Sequence, residues 1–412
     1  MERHPVVSER SDLPRFQPGG VEFVRRVPLS RVDQPTVDAW RTLHARSPFK
    51  SPLRSYEFAH LADDAWGDVE VILGETRSKT VFVLPVHLRA NRFARPVGGA
   101  FSDVHGPLLA DGFAGEAQGI LKRAGVSAYR FWGLDDPTGA FAKGVAGRDA
   151  ALAVELNGPA DAYLAARRLA NGDRIDTYHR LEAKLACEHG VLKLIAPDRS
   201  EDHFERLLAW KRDQLDRSDY FDFLDAAPNR RLLDLARHAA GQGLAGLQLT
   251  LLLNDQPIAG HFGVRLGDRF HPLIAAFDPA FAEFAPGMIL ISRAIAAMPT
   301  LGLSHYELGV GQPHDKKLYA NVERPVGAGV VFGGGVSAIA EWAGEKVGRS
   351  LETLPPRRLA HAMTRLRRRT DQIAVSETHL TRRAAAMADA LARRAFHPQT
   401  LELVQAETAD GE

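Results

Sequence analysis

The sequence predicts a mixed α/β protein of two domains with largely antiparallel sheets, and three observations carry that reading. The chain has 412 residues, more than one hydrophobic core usually serves. Apolar runs of strand length alternate with runs of helical period. The order of elements in the first half also recurs in the second, without an exact sequence repeat.

The elements follow in order. A leader over residues 1–19, rich in charge and proline where a secretory signal would be apolar, precedes a first strand in "VEFVRRVPL". "TVDAWRTLHARS" reads as a helix ended by Ser47 and Pro48. "DVEVILGE" and "TVFVLPVHLR" read as paired strands joined by the turn "TRSK". The glycines and prolines of "RPVGGAFSDVHGPLLADG" mark a structured loop suited to facing a ligand, and "SAYRFWGL" follows as a strand. Residues 161–190 read as two helices joined at Asn171 and Gly172, and Gly190 closes a first domain over 20–190.

A second domain is expected over 191–345. Two helices, "DHFERLLAWKRDQLDR" and "NRRLLDLARHAAGQG", lead into three strands separated by the turns "NDQP" and "GD", an antiparallel meander. An apolar helix opened by Pro286 and Gly287, a short strand "HYELG", a glycine-rich loop and "GAGVVFGG" complete it. From residue 346 the composition shifts: twelve basic residues stand against four acidic ones between Lys346 and Phe396, in segments that favour helix. This basic helical tail reads first as a solvated face, and second as a peripheral contact with an anionic membrane surface or polymer.

Composition narrows the function classes. Hydrophobic residues at 45% and charged residues at 25% fit an ordinary folded protein, and 52 basic against 51 acidic residues exclude a chain-wide attraction to nucleic acid. A single cysteine, Cys187, cannot form an internal disulfide or a thiolate zinc site, which fits a reducing cytoplasm. The longest apolar runs fall short of the roughly 20 residues that span a bilayer. No Gly-x-Ser-x-Gly elbow, His-Glu-x-x-His, P-loop or paired-cysteine motif is present, so no metal is expected.

Two stretches point to chemistry. Pro286 and Gly287 sit where a helix begins, just after a strand that stops at Asp278; a helix start offers unpaired N–H groups, and a glycine lets an anion such as a pyrophosphate come close. In "SHYELGVGQPHDKKLYA", Gly309 and Gly311 remove bulk beside Lys316 and Lys317, a pattern suited to a phosphate or carboxylate.

In joint order these motifs resemble the acetyltransferase domain of the GNAT superfamily as found in BioF2-like and cellulose-biosynthesis CelD-like proteins. The matching residues are Trp210–Lys211, "PIAG" at 257–260, Phe277–Asp278, "APGMIL" at 285–290 and "YELGVGQPHDKKLYA" at 306–320; "RSPFKSPLRSYEFA", "VLPVHL" and "RPVGGAFSDVHGPL" resemble the first domain of the same proteins. The resemblance covers residues 20–340 and implies two tandem GNAT-like domains. Three positions depart from it: Glu307 replaces an aspartate, Ala285 a serine and Asp315 a tyrosine.

The resemblance implies acetyl-CoA or another acyl-CoA as donor and an amine or hydroxyl of a sugar or related acceptor, in polysaccharide or cell-envelope assembly. It implies two neighbouring strands that splay apart to admit the thioester, with the pyrophosphate held by the helix start at Pro286, Gly287, Met288 and Ile289. Asp278, Glu307, Lys316 and His261 are the candidate catalytic groups; Asp103, His105, Lys317 and Tyr319 are the candidate acceptor contacts. Each has a structural alternative: a strand-end cap for Asp278, an ion pair for Glu307, a solvated lysine for Lys316 and a satisfied core imidazole for His261. Trp210 reads as core. Two rivals remain, a Fem-like transferase that takes its acyl group from a charged tRNA, and a catalytically silent scaffold subunit of a polysaccharide-producing complex.

Overall fold

A computed structural model of the chain describes residues 20–89, 92–218, 221–241, 243–311 and 315–335, together with Ile373. The expected leader and, apart from Ile373, the expected basic tail lie outside the described residues.

The first half contributes strands β1 (Phe23–Pro28), β2 (Val69–Glu75), β3 (Thr80–Arg89), β4 (Phe93–Pro96), β5 (Leu108–Leu109), β6 (Ala128–Leu134) and β7 (Val145–Glu155). Its helices are α1 (Gln34–Arg46), α2 (Tyr56–Trp66) and α3 (Ala117–Arg123). Helix α4 (Ala160–His189) leads into the second half, with β8 (Leu192–Ile195), α5 (Glu201–Arg217), α6 (Ala227–His238), β9 (Ala240–Gly241), β10 (Leu244–Leu253), β11 (Gln256–Leu266), β12 (Arg269–Phe277), α7 (Pro286–Ala297), β13 (His305–Val310), α8 (Lys316–Tyr319) and β14 (Val322–Phe332). Side-chain caps set several starts: Asp33 accepts from Thr36 N for α1, Ser55 from Phe58 N for α2 and Ser200 from His203 N for α5. The two helices expected over 161–190 are both present and meet at a kink where Asn171 takes non-helical angles (φ −137°, ψ 33°), so α4 is two helical segments run end to end.

All strands join one mixed, largely antiparallel sheet in the order β1-β2-β3-β4-β6-β14-β7-β13-β12-β11-β10-β8, with β5 on β3 and β9 on β10. The order reads alike from either end. Each half supplies an antiparallel run that meets a parallel neighbour, β4 beside β6 and β12 beside β13. The halves then exchange a strand at the centre: β14 of the second half pairs β6, while β7 of the first pairs β13. The sequence reading missed β4, β5, β7, β8 and β9 and the helices α2, α3 and α8, and it ran the helix of α6 past His238 into β9; β7 begins with the exposed polar stretch "AGRD", which conceals the buried run "AALAV" behind it.

Helices cover both faces. One core takes Trp40 and Phe58 from α1 and α2 together with Phe204, Leu207 and Leu232 from α5 and α6, so the halves share apolar contacts on this face. On the other face α4 and α7 pack over the second half through Ile175, Leu185, Leu290 and Ile295, while α3 covers the first through Ile120 and Leu121.

Candidate active site

Strands β12 and β13 run parallel for only two rungs, Arg269 with His305 and Phe270 with Tyr306. Beyond them, no backbone hydrogen bond joins the two strands among the described residues. This leaves an opening flanked by β12 from His271 onward and by β13 from Glu307 onward. Helix α7 starts at the wide end, where a Cβ placed on Gly287 would lie 3.6 Å from Phe277 Cδ1.

The start of α7 is narrower as an anion site than the sequence suggests. Pro286 has no N–H, and Met288 N and Ile289 N both donate to Ala285 O, at 2.9 and 3.3 Å. Only the Gly287 N–H lacks a backbone acceptor among the described residues. Ile289 is a core side chain, Pro286 is buried, and Ala285 reaches φ 50° to turn the chain into the helix. The residues fit an anionic group through one N–H, the positive end of the helix dipole and an uncrowded glycine.

Titratable side chains gather at the opening from five separate elements, the loop after β4, α5, α8, β12 and β13. Asp103, in the loop after β4, lies against β13: a Cβ on Gly309 would be 3.4 Å from its Oδ2. Lys316 Nζ donates to Leu308 O at 3.0 Å, at the irregularity of β13 between Glu307 and Gly309. Lys211 on α5 donates to Gln214 Oε1 at 3.0 Å, and its charge and that of Lys316 oppose each other. Asp103 accepts no hydrogen bond among the described residues, and neither lysine closes on it as an ion pair. Burial raises the Asp103 carboxyl above its ordinary value, an effect opposed by His271, Lys316 and Lys211; burial lowers both lysines. A carboxylate that binds a proton more readily than usual, facing two desolvated ammonium groups, is equipped to take a proton from an acceptor and to hold an anion.

The remaining candidates divide. Glu307 is 1% exposed and hydrogen-bonds His305 Nε2 at 2.7 Å, so it faces a histidine two residues away on the same side of the strand. His271 hydrogen-bonds Ser51 Oγ through Nδ1 at 3.4 Å, while its buried Nε2 has no partner among the described residues. His261 hydrogen-bonds the Tyr306 hydroxyl, and burial aided by Lys316 and Lys211 pushes it down to about 3, so it stays neutral beneath the lysines. Asp278 caps the turn that follows it, accepting from Ala280 N at 3.0 Å, beside the start of α7 and apart from Asp103.

Three candidate acceptor contacts lie elsewhere: Tyr319, Lys317 and His105. Tyr319 is a core side chain at 1% exposure, and Lys317 pairs with Glu323 at 3.2 Å; a four-residue helix points successive side chains in different directions, so only Lys316 turns to the opening. His105 is buried and held by backbone groups of β6. Asp315, at the expected tyrosine position, pairs with Arg174 at 2.6 Å on the surface. His271 and His305 were missed, and no local motif marks them; Lys211 was visible in the Trp-Lys pair and gained meaning only from its position opposite Lys316.

Residues 174–317 match the family model described as an acetyltransferase (GNAT) domain. That stretch is similar to a GNAT acetyltransferase domain. It holds Lys211, His261, His271, Asp278, Gly287, Glu307 and Lys316, whereas Asp103 comes from outside the match. No curated protein matches the sequence. Solved structures similar to this chain include the C-terminal DUF2156 domain of a putative lysylphosphatidylglycerol synthetase from Agrobacterium fabrum (12% identity, 76% of this chain and 96% of that one, TM-score 0.41). They also include a tandem GNAT protein from the clavulanic acid biosynthesis pathway (12%, 76% and 99%, 0.44) and FemX (10%, 74% and 98%, 0.47). Among the described residues there is no cluster of three or more metal-ligating side chains, and no helix is long and apolar enough to cross a membrane.

Proposed function

We propose that the GNAT domain takes an acyl group from an acyl-CoA, acetyl-CoA in the simplest case, and transfers it to an amine or hydroxyl of a saccharide or related acceptor bound between the two halves. The observation that carries this reading is the two-rung contact of β12 and β13, which opens beside the start of α7. The thioester lies in that opening and the donor's anionic end is drawn to the Gly287 N–H.

Asp103 acts as the base. It accepts the acceptor's proton as the nitrogen or oxygen attacks the thioester carbonyl, and the C–S bond then breaks to release the thiol. Lys316 and Lys211 hold negative charge that the acceptor brings or that develops on the carbonyl oxygen. The enzyme contributes position as much as chemistry, because donor and acceptor arrive from different halves. Assembly of a polysaccharide or cell-envelope component in the cytoplasm remains the biological setting we favour.

Titration calorimetry with coenzyme A, acetyl-CoA and longer acyl-CoAs tests the donor. Binding that Gly287→Trp removes supports the placement at α7. Failure of the folded wild-type protein to bind any of them overturns the CoA reading and favours a charged-tRNA donor or a silent scaffold.

A further inference from the structure

The first half contains its own parallel strand pair that opens after two rungs: β4 and β6 meet at Phe93 with Ala128 and Ala94 with Tyr129. That opening is filled by the chain itself. After β4 the loop returns along the far end of β6, where His105 forms a parallel bridge with Leu134. His105 N donates to Gly133 O at 3.0 Å, and Asp135 N donates to His105 O at 2.8 Å.

The fit leaves no room for a side chain at either crossing. A Cβ on Gly133 would lie 1.8 Å from Asp103 O, and one on Gly106, whose φ is 134°, would lie 2.4 Å from Asp135 O. Arg54, 2% exposed, closes the assembly by donating to Asp135 Oδ2 and to Pro107 O, each at 2.5 Å.

The His105 imidazole locks the segment. Its Nε2 accepts from Trp132 N and Gly133 N, each at 3.3 Å, and its Nδ1–H donates to Ser102 O at 3.1 Å. Both ring nitrogens are therefore spent on backbone groups, and burial keeps the ring neutral. Ser102 and Asp103 are thereby tied to β6 of the first half, while the Asp103 carboxylate projects to Gly309 of the second.

We propose that His105 is a positioning residue: it closes the first half's strand opening with the chain's own loop and so sets the Asp103 carboxylate against Lys211 and Lys316 of the other half. The role of Asp103 rests on the function proposed above; the placement itself does not. The groups facing the Asp103 carboxylate are His271 from β12, Glu307 from β13, Lys211 from α5 and Lys316 from α8.

The test reads Lys211 and Lys316 directly in the full chain, by the pH dependence of their chemical acetylation with acetic anhydride, followed by peptide mass spectrometry. A correctly placed Asp103 raises the pH at which these lysines become reactive. In His105→Ala that pH falls by about one unit, or about tenfold greater reactivity at neutral pH. His105→Gln, whose side chain can still accept from and donate to the backbone, restores the wild-type profile. His105→Ala also lowers kcat at least tenfold, with acyl-CoA affinity unchanged.

A folded His105→Ala protein with wild-type lysine profiles overturns the proposal. Should that variant not fold, Asp103→Asn produces the same lysine shift without touching the loop, and its failure to do so is equally fatal. A wild-type protein that transfers no acyl group, yet shows the lysine shift in these variants, supports the positioning role and overturns the acyltransfer reading instead.

Discussion

The two halves open a parallel strand pair after two rungs in the same way, but what stands in the opening differs. Between β4 and β6 the chain lays its own residues 103–107 along β6 and satisfies the exposed backbone groups with His105 and Arg54. Between β12 and β13 no strand or loop does this among the described residues, and the space is bordered by His271, Glu307 and Lys316 instead. An unpaired strand edge inside a protein is costly unless something pairs with it, so an opening of this kind is either filled or kept for a ligand. Under the proposed function the donor occupies the second half, and the first half is a support that lends it Asp103.

The largest expected effect falls on the residue that crosses between halves. Asp103→Asn should lower turnover by about 100-fold or more while acyl-CoA binds with unchanged affinity and a stoichiometry of one per chain. Two donors per chain would break the comparison at once. The folded state favours the protonated form of Asp103, so this group contributes stability at low pH that is lost as pH rises through its folded pKa. Asp103→Asn should therefore melt no lower than the wild type at neutral pH.

Next in size is the contrast between glycines. Gly133→Ala forces a methyl onto Asp103 O and should destabilise by about 3 kcal/mol, seen in denaturant unfolding, whereas Gly287→Ala meets only an ordinary contact with Phe277 and should stay within about 1 kcal/mol of the wild type. Equal costs at the two sites would mean that the first opening is no tighter than the second.

Lys316→Met sharpens the contrast between stability and function. The folded state disfavours the Lys316 charge, a cost present below its folded pKa and relieved as pH rises through it. Removing the charge should abolish most turnover and leave the melting midpoint unchanged or raised by about 2 °C. A clear loss of stability would place Lys316 in a structural network.

The smallest effect is a pH dependence. As a base, Asp103 works only when ionised, so kcat/KM should fall with decreasing pH through a value above the ordinary carboxylate pKa of about 4. That acid limb should vanish from the residual activity of Asp103→Asn.

Much of this was legible in residue order. The meander over β10 to β12 is marked by the turns at Asn254–Asp255 and Gly267–Asp268, and α1 and α5 show in "TVDAWRTLHARS" and "DHFERLLAWKRDQLDR", whereas α2, which Ser55 caps, was not read. Gly287 and Lys316 were visible because glycine beside a helix start and lysine beside a glycine loop are local patterns. Asp278 and Glu307 fit the same patterns, yet Asp278 caps its own turn and Glu307 faces His305. A one-dimensional pattern reports residue type and spacing and carries no information on which neighbour consumes a carboxylate.

The sequence by itself determined the meander, the helices α1, α5, α6 and α7 and the residue types at the candidate site, because strand period, turn residues and the helix-start glycine act over a few residues. The tertiary structure decided which opening the chain's own loop fills, which lysine of two turns inward, and that Asp103 lies against Gly309, about 200 residues further along the chain. Those outcomes depend on strand exchange between β7 and β14 and on a loop filling one gap of two, contacts of long sequence separation that no local pattern encodes.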